Sequence, residues 1–187
     1  MSLLITFTLS ESDLEYFGGI MRQAREKAKG LTQQQIIDKA EKMLEKVNNS
    51  DAVDFIRDRM YQLDTLIGMV IDKGWGLIEE DLERVLAALT YLSEPHDLIP
   101  DDTPGLGFLD DAIMIEIVCK ALEHEVQAYR EFVIFRATET ERRGADANPM
   151  QRSDWLEQRR QQLHERMRRR RNGNTNANKT RSPFSLF

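Results

Sequence analysis

The sequence predicts an all-α protein, a bundle of four to five helices with a basic C-terminal helix and a flexible tail. Apolar residues recur at intervals of three and four along most of the 187-residue chain, which is the periodicity of amphipathic helices. Capping residues and glycine or proline breaks separate these stretches. The β-rich residues 3–9 lack a second strand, so we interpret them as an extended segment that packs on helices or pairs with a second copy.

Three helices are expected in the first part of the chain. The first begins after Ser10 and stops at Gly30, and a capping box at Thr32–Gln35 opens the second. Asp51 is the expected N-cap of the third helix, which continues to about residue 71. Gly68 lies inside it, where glycine costs about 1 kcal/mol relative to alanine. We therefore expect a second helix to cross closely there.

Three further helices are expected in the rest of the chain. A fourth helix is expected over about residues 79–93, and a single long helix over about Asp110–Thr140, apolar nearly all round in its first half. Cys119 lies in that apolar half and is interpreted as a buried structural thiol. A sixth helix with a narrow apolar edge is expected from about Pro149 to Arg170.

The net charge of −6 hides a division of the chain into two oppositely charged parts. Residues 1–141, the predicted helical domain, carry 14 basic and 28 acidic side chains, a net charge of −14. The remainder carries 12 basic and 4 acidic side chains, a net charge of +8. We divide it into a basic helical arm, residues 142–171, and a polar tail with an apolar end, residues 172–187.

Several function classes lack their sequence signatures. The chain has no phosphate-binding loop that ends in Gly-Lys-Ser/Thr, no GxSxG elbow and no Glu-x-x-His pair. These gaps favour a non-catalytic protein, and no cofactor is expected. A single cysteine fits a reducing compartment. Because neither a signal peptide nor a transmembrane stretch is recognisable, the cytoplasm is the expected location.

The arm is the strongest candidate for a binding site. Arginine forks match the geometry of phosphates, and an arginine-rich run is typical of segments that bind nucleic acid or anionic surfaces. The arm lacks interleaved aromatic residues for base stacking, so binding should tolerate many sequences. The expected partner is nucleic acid, a ribosome or another RNA–protein particle, contacted through Arg159, Arg160, Arg166, Arg168, Arg169, Arg170 and Arg171.

Other roles for the arm remain open at this point. It could dock on the acidic body of its own chain, join copies into a homo-oligomer, bind a partner protein, lie on an anionic membrane or remain a solvated tail. A membrane-lying helix needs a wide apolar face. The narrow edge formed by Trp155, Leu156, Leu163 and Met167 therefore favours docking over the membrane.

The connection between the fourth and fifth helices carries the one specific motif. Pro95 ends a helix, Asp97 can close a short turn, and Asp110 and Asp111 place carboxylates at the amino end of the next helix, where the dipole favours anions. The pattern consists of Pro95, Asp97, Leu98, Ile99, Pro100, Asp101, Pro104, Gly107, Leu109, Asp110 and Asp111.

This pattern resembles the core motif of the YkvA-like family (domain of unknown function 1232). The resemblance covers about residues 80–125. It implies no reaction, because the family has no agreed one, and many relatives look membrane-associated. This chain departs from the pattern with polar residues at His96, Asp102, Glu116 and Lys120.

The acidic residues of the same stretch permit a metal hypothesis. Hard cations such as Mg²⁺ and Ca²⁺ bind oxygen ligands of this kind, and a bound cation would allow phosphoester chemistry. The spacing matches no Ca²⁺ loop, however, and helix capping explains four of the five carboxylates. The candidates are Asp97, Asp101, Asp102, Asp110 and Asp111, with His96 beside them.

Overall fold

The computed structural model describes residues 10–92, 103, 107–143 and 149–177, and this part of the chain is entirely helical apart from short turns. The all-α prediction is confirmed, but the described residues form seven helices, more than the bundle that the sequence predicted. They are α1 (Glu11–Ala28), α2 (Gln33–Asn48), α3 (Asp54–Ile71), α4 (Glu79–Leu92), α5 (Leu109–Ala121), α6 (Glu123–Arg143) and α7 (Pro149–Ala177).

The first two helices begin where the sequence predicts. Ser10 and Asp13 form a reciprocal capping box at α1, and Thr32 and Gln35 form another at α2. Each box satisfies two backbone amides that lack a partner within the helix. These starts depend on residues three positions apart, which explains why local sequence was enough to find them.

The predicted cap of α3 is wrong. Val53, not Asp51, is the N-cap, and no side chain bonds to the free amides. The preceding turn is instead fixed by Arg57, whose guanidinium donates to the carbonyl of Ala52 at 2.8 Å and to that of Ser50 at 3.1 Å. A side chain that follows the turn therefore holds it together.

The single long helix predicted over Asp110–Thr140 is broken at Leu122. This residue leaves the helical conformation, with φ −103° and ψ 22°, and its side chain is fully buried. Arg84 of α4 reaches the carbonyl of Ala121 at 3.4 Å, next to the break. The break divides the predicted helix into α5 and α6 and accounts for the seventh helix.

Helix α3 lies at the centre of the bundle and packs against α2, α4, α5 and α6. Helix α1 packs on α4, and α7 packs along α6. Leu163 and Met167 of α7 belong to the same buried cluster as Trp75 and Phe132. The arm therefore completes the hydrophobic core instead of extending away from it.

Helix α7 continues to Ala177, beyond the predicted end of the arm at Arg171. The first residues of the predicted tail are therefore helical. Arg171 sits among acidic side chains of α4 and α6, and this anchor holds the helix just before the extension. Residues 178–187, which include the apolar end of the tail, lie outside the described residues.

The close crossing expected at Gly68 is confirmed. A Cβ atom at this position would lie 3.0 Å from the hydroxyl of Tyr129 in α6.

We expect Gly68→Val to lower the free energy of unfolding by about 2 kcal/mol through overpacking, measured by urea denaturation. In α1 a Cβ at Gly19 meets nothing closer than 3.8 Å, so Gly19→Ala should raise stability by about 0.5 kcal/mol. Equal effects of the two substitutions would contradict the close packing.

Candidate interaction site on the C-terminal helix

One face of α7 is apolar and turns inward. Leu163 and Met167 are each 1% exposed, and Leu156 packs against the same core. Their spacing of seven and four residues places them on one side of the helix. Near the start of α7, Trp155 meets Phe135 of α6 edge-on, with ring centroids 5.4 Å apart. The narrow apolar edge predicted for the arm is the surface by which it docks on its own chain.

Arg171 closes a buried ionic cluster at the far end of this face. Its guanidinium lies 2.5 Å from a carboxylate oxygen of Asp81 and 3.3 Å from one of Glu125. Asp81 and Glu125 have almost no exposed surface, and Arg84 binds the same carboxylate oxygen of Glu125 as Arg171. Because buried charges are stable only when paired, the two carboxylates require both arginines, and one of these comes from α7.

A second ionic contact lies nearer the middle of α7. Arg166 binds a carboxylate oxygen of Glu131 in α6, and Arg159 lies 3.9 Å from the same oxygen. The guanidinium of Arg159 also covers the ring of Phe135, 5.2 Å from its centroid. One carboxylate thus faces two cations, so this side of the α6–α7 interface keeps an excess of positive charge.

Three consecutive arginines of α7 point outward. Arg169 is 82% exposed and meets only Glu165 of its own helix among the described side chains, at 3.3 Å. Arg170 is exposed and donates to the amide oxygen of Gln127 at 3.0 Å. Arg168 is exposed and has no hydrogen bond or ion pair with any residue that the structure describes. These three side chains are accessible to a partner without moving α7.

The seven predicted binding arginines therefore fall into different groups. Arg159, Arg166 and Arg171 face carboxylates of the body. Arg168, Arg169 and Arg170 are exposed and point about 100° apart around the outer side of α7; together they are called the outward basic patch. Arg160 is intermediate, since it pairs with Glu157 of its own helix at 2.5 Å and lies over Gly76. Sequence alone predicted the set but not this division.

The structure adds two residues that the sequence analysis did not select. His164 of α7 stacks on Trp75 in the α3–α4 connection, with centroids 4.3 Å apart and planes 20° apart. Its Nε2 lies 3.3 Å from the carbonyl oxygen of Trp75. A tryptophan between two glycines was the available signal, because so large a side chain in a turn is rarely left in solvent.

Asp72 fixes the turn that carries Trp75. Its carboxylate accepts from the amides of Gly74 and Trp75 and binds Arg136 of α6 at 2.7 Å. Burial alone would raise the pKa of Asp72. The hydrogen bond and the charge of Arg136, together with the hydrogen bonds from the two amides, outweigh burial and lower this pKa below its usual value. Tyr129 donates to the same carboxylate at 3.3 Å. The face on which His164 rests is thus held rigidly.

The motif between α4 and α5 is only partly described. Gly107 lies in the turn before α5, Leu109 is the first residue of the helix, and Asp110 and Asp111 occupy its first turn, as the sequence predicts. Phe108, just before the helix, is buried and has a left-handed backbone, φ 65°. The remaining motif positions lie outside the described residues: Pro95, Asp97, Leu98, Ile99, Pro100, Asp101 and Pro104.

The metal hypothesis stays a prediction. Asp97, Asp101 and Asp102, with His96, lie outside the described residues. Within the described ranges, no group of three or more acidic, histidine or cysteine side chains is arranged to hold a metal ion. Cys119 is buried, as predicted, and burial raises the pKa of its thiol to about 12. It is therefore an unreactive structural residue.

Fold and motif together define an all-helical protein that carries a family segment across α4 and α5. Residues 84–117 match the family model whose description is "Protein of unknown function (DUF1232)", and the YkvA-like assignment of this segment is confirmed. The chain is similar to the "Uncharacterized membrane protein YkvA" of Bacillus subtilis (strain 168), with 37% identity over 46 residues. The match covers 25% of this chain and 43% of that relative, less than half its length. No solved structure matches.

The description of this relative corrects one prediction. The relative is called a membrane protein, so the cytoplasmic location expected from the sequence is wrong. That expectation depended on the lack of a recognisable apolar span, which is a weak basis for a location. In the described part of the chain, none of the helices has the length and apolar character that a bilayer crossing requires.

Proposed function

We propose that this protein is a non-catalytic interaction protein that binds nucleic acid, or an RNA–protein particle, through the outward arginines of α7. The observation that carries the proposal is the patch of Arg168, Arg169 and Arg170, exposed on a helix whose opposite face is fixed in the core. A fixed helix presents its arginines in one arrangement, which reduces the entropy lost on binding.

The chemistry of the patch suits phosphates. A guanidinium donates two parallel hydrogen bonds to a phosphate. Because successive side chains point about 100° apart on a helix, the three arginines can contact phosphates that lie on different sides of α7. No aromatic residue stands among Arg168, Arg169 and Arg170, so the expected binding is electrostatic and tolerant of sequence.

Two other kinds of partner, an anionic membrane and a second copy of the chain, fit the docked α7 less well. The name of the YkvA relative makes an anionic membrane the first alternative, but the apolar residues Leu163 and Met167 are buried against the body and are not available to lipid. An arm that bridges copies of the chain through its apolar edge would need the same residues. The docked geometry of α7 therefore supports contact through charge alone, which nucleic acid provides.

The test is fluorescence anisotropy of a labelled single-stranded RNA over a salt series. We expect the triple variant R168Q/R169Q/R170Q to bind more weakly than the unmodified chain. Its log–log salt slope should be smaller by about 2, since each phosphate contact on a single strand contributes about 0.7. The matched control K39Q/K42Q/K46Q removes three positive charges from exposed positions of α2 and should change binding little.

Two outcomes would contradict the proposal. Equal weakening by the two triple variants would show that net charge, not the patch, governs binding. Binding to phosphatidylglycerol vesicles without binding to RNA would assign the patch to a membrane surface instead. Point substitutions are used because removal of α7 would also remove Leu163, Met167 and Arg171 from the core and its ionic cluster.

A further inference from the structure

His164 lies at the centre of the contact between α7 and the body. It is 7% exposed, stacks on the fully buried Trp75, and directs Nε2 to the Trp75 carbonyl. A carbonyl accepts hydrogen bonds, so Nε2 carries the proton in the neutral ring. Nδ1 is buried and has no hydrogen-bond partner within the described residues. The site accommodates a neutral imidazole whose Nδ1 is unprotonated and has no hydrogen-bond partner among the described residues.

A second proton would have to enter at Nδ1, where the site offers it no acceptor. It would place a buried N–H without a partner and a buried charge beside the guanidinium groups of Arg160 and Arg168. Asp81 of α4 and Glu157 of α7 attract that charge. However, Oδ1 of Asp81 already binds Arg171, and Glu157 already binds Arg160. Oδ2 of Asp81 is buried and has no hydrogen-bond partner among the described residues.

Burial lowers the pKa of His164 below its ordinary value, and the charges of Arg168 and Arg160 act in the same direction. The hydrogen bond to Trp75 and the charge of Asp81 oppose the shift. The docked helix therefore binds a proton more weakly than a freed helix does. The contribution of neutral His164 to docking is fully present above about pH 6.5, the ordinary pKa of histidine. It decreases as the pH falls below that value.

We propose that His164 is a pH-sensitive latch whose protonation weakens the docking of α7 on the body and so favours its release. Release also frees Arg159, Arg166 and Arg171 from Glu131, Asp81 and Glu125, so that an anionic partner can reach them. This second consequence rests on the proposed function, whereas release of α7 does not. Each unit by which the docked pKa lies below the ordinary value changes the docking equilibrium by up to tenfold.

Release is measured by the emission of Trp75 in the full chain with Trp155→Phe, which leaves Trp75 as the sole tryptophan. In urea just below the concentration at which α7 detaches at pH 8, we expect a red shift as the pH is lowered to 5, with the change beginning at about pH 6.5. His164→Phe keeps a ring against Trp75 but cannot be protonated, so the shift should be lost. His164→Gln serves the same purpose if the phenylalanine variant does not fold. His124→Gln removes a half-buried histidine of α6 and should leave the shift intact.

Anisotropy with the same labelled RNA at pH 7.5 and pH 5.5 tests the consequence for binding. Both values lie above the ordinary pKa of carboxylates, near 4. We expect tighter binding at pH 5.5 in the unmodified chain and a smaller change in His164→Phe. A Trp75 shift that persists in His164→Phe overturns the latch. A Trp75 shift that depends on His164, with no RNA binding at either pH, supports the latch and overturns the proposed function.

Discussion

Replacing Arg171 with methionine should lower the free energy of unfolding by about 3 kcal/mol. The substitution keeps much of the apolar stem but removes the guanidinium that faces Asp81 and Glu125. Arg84 would then be left to balance two carboxylates that are almost completely buried. Arg171 itself is 24% exposed, so water can reach part of the vacated space, which places the loss at the lower end for a broken buried pair. Urea denaturation followed by circular dichroism measures the loss.

Arg170 provides the matched control. It has the same side chain one position earlier, but it is exposed and contacts Gln127 instead of a buried carboxylate. Arg170→Met should change stability by less than about 0.5 kcal/mol. Adding Asp81→Asn to Arg171→Met should recover part of the loss, because an amide carries no charge to be balanced. Similar losses for Arg170→Met and Arg171→Met would contradict the buried cluster.

The parts of the fold that the sequence predicts are those with local causes. The capping boxes at Ser10 and Thr32 and the periodicity of the first four helices each involve residues within one or two turns. The break at Leu122 has no local signal, since the residues on both sides favour helix. It accompanies the packing of Leu122 into the core and the reach of Arg84 to the neighbouring carbonyl, and both are long-range contacts.

The candidate site shows the same limit. The opposed charges of body and arm predicted that the two could attract each other, and the narrow apolar edge of α7 predicted a docking surface. Neither feature identifies the partner of each arginine. Arg171 and Asp81 are 90 positions apart, and only the folded chain brings them together. His164 lies near several arginines in the sequence, and nothing local distinguishes it from a residue of a basic surface.

The second large effect is expected for the double substitution Leu163→Ala and Met167→Ala. Both side chains are 1% exposed in the core cluster, and truncation of a buried leucine or methionine costs about 2–5 kcal/mol. A combined loss of about 5 kcal/mol approaches the whole stability of a small domain. We therefore expect α7 to detach or the chain to unfold, with loss of the near-ultraviolet circular dichroism of Trp75.

Gln158→Ala with Gln162→Ala is the control, because both glutamines are exposed on α7 and alanine favours helix. This pair should leave the urea midpoint nearly unchanged. A double core variant that unfolds at the same urea concentration as the unmodified chain would show that α7 is only loosely attached. The inward and outward arginines would then no longer be distinct groups, and the assignment of binding to Arg168, Arg169 and Arg170 would lose its structural basis.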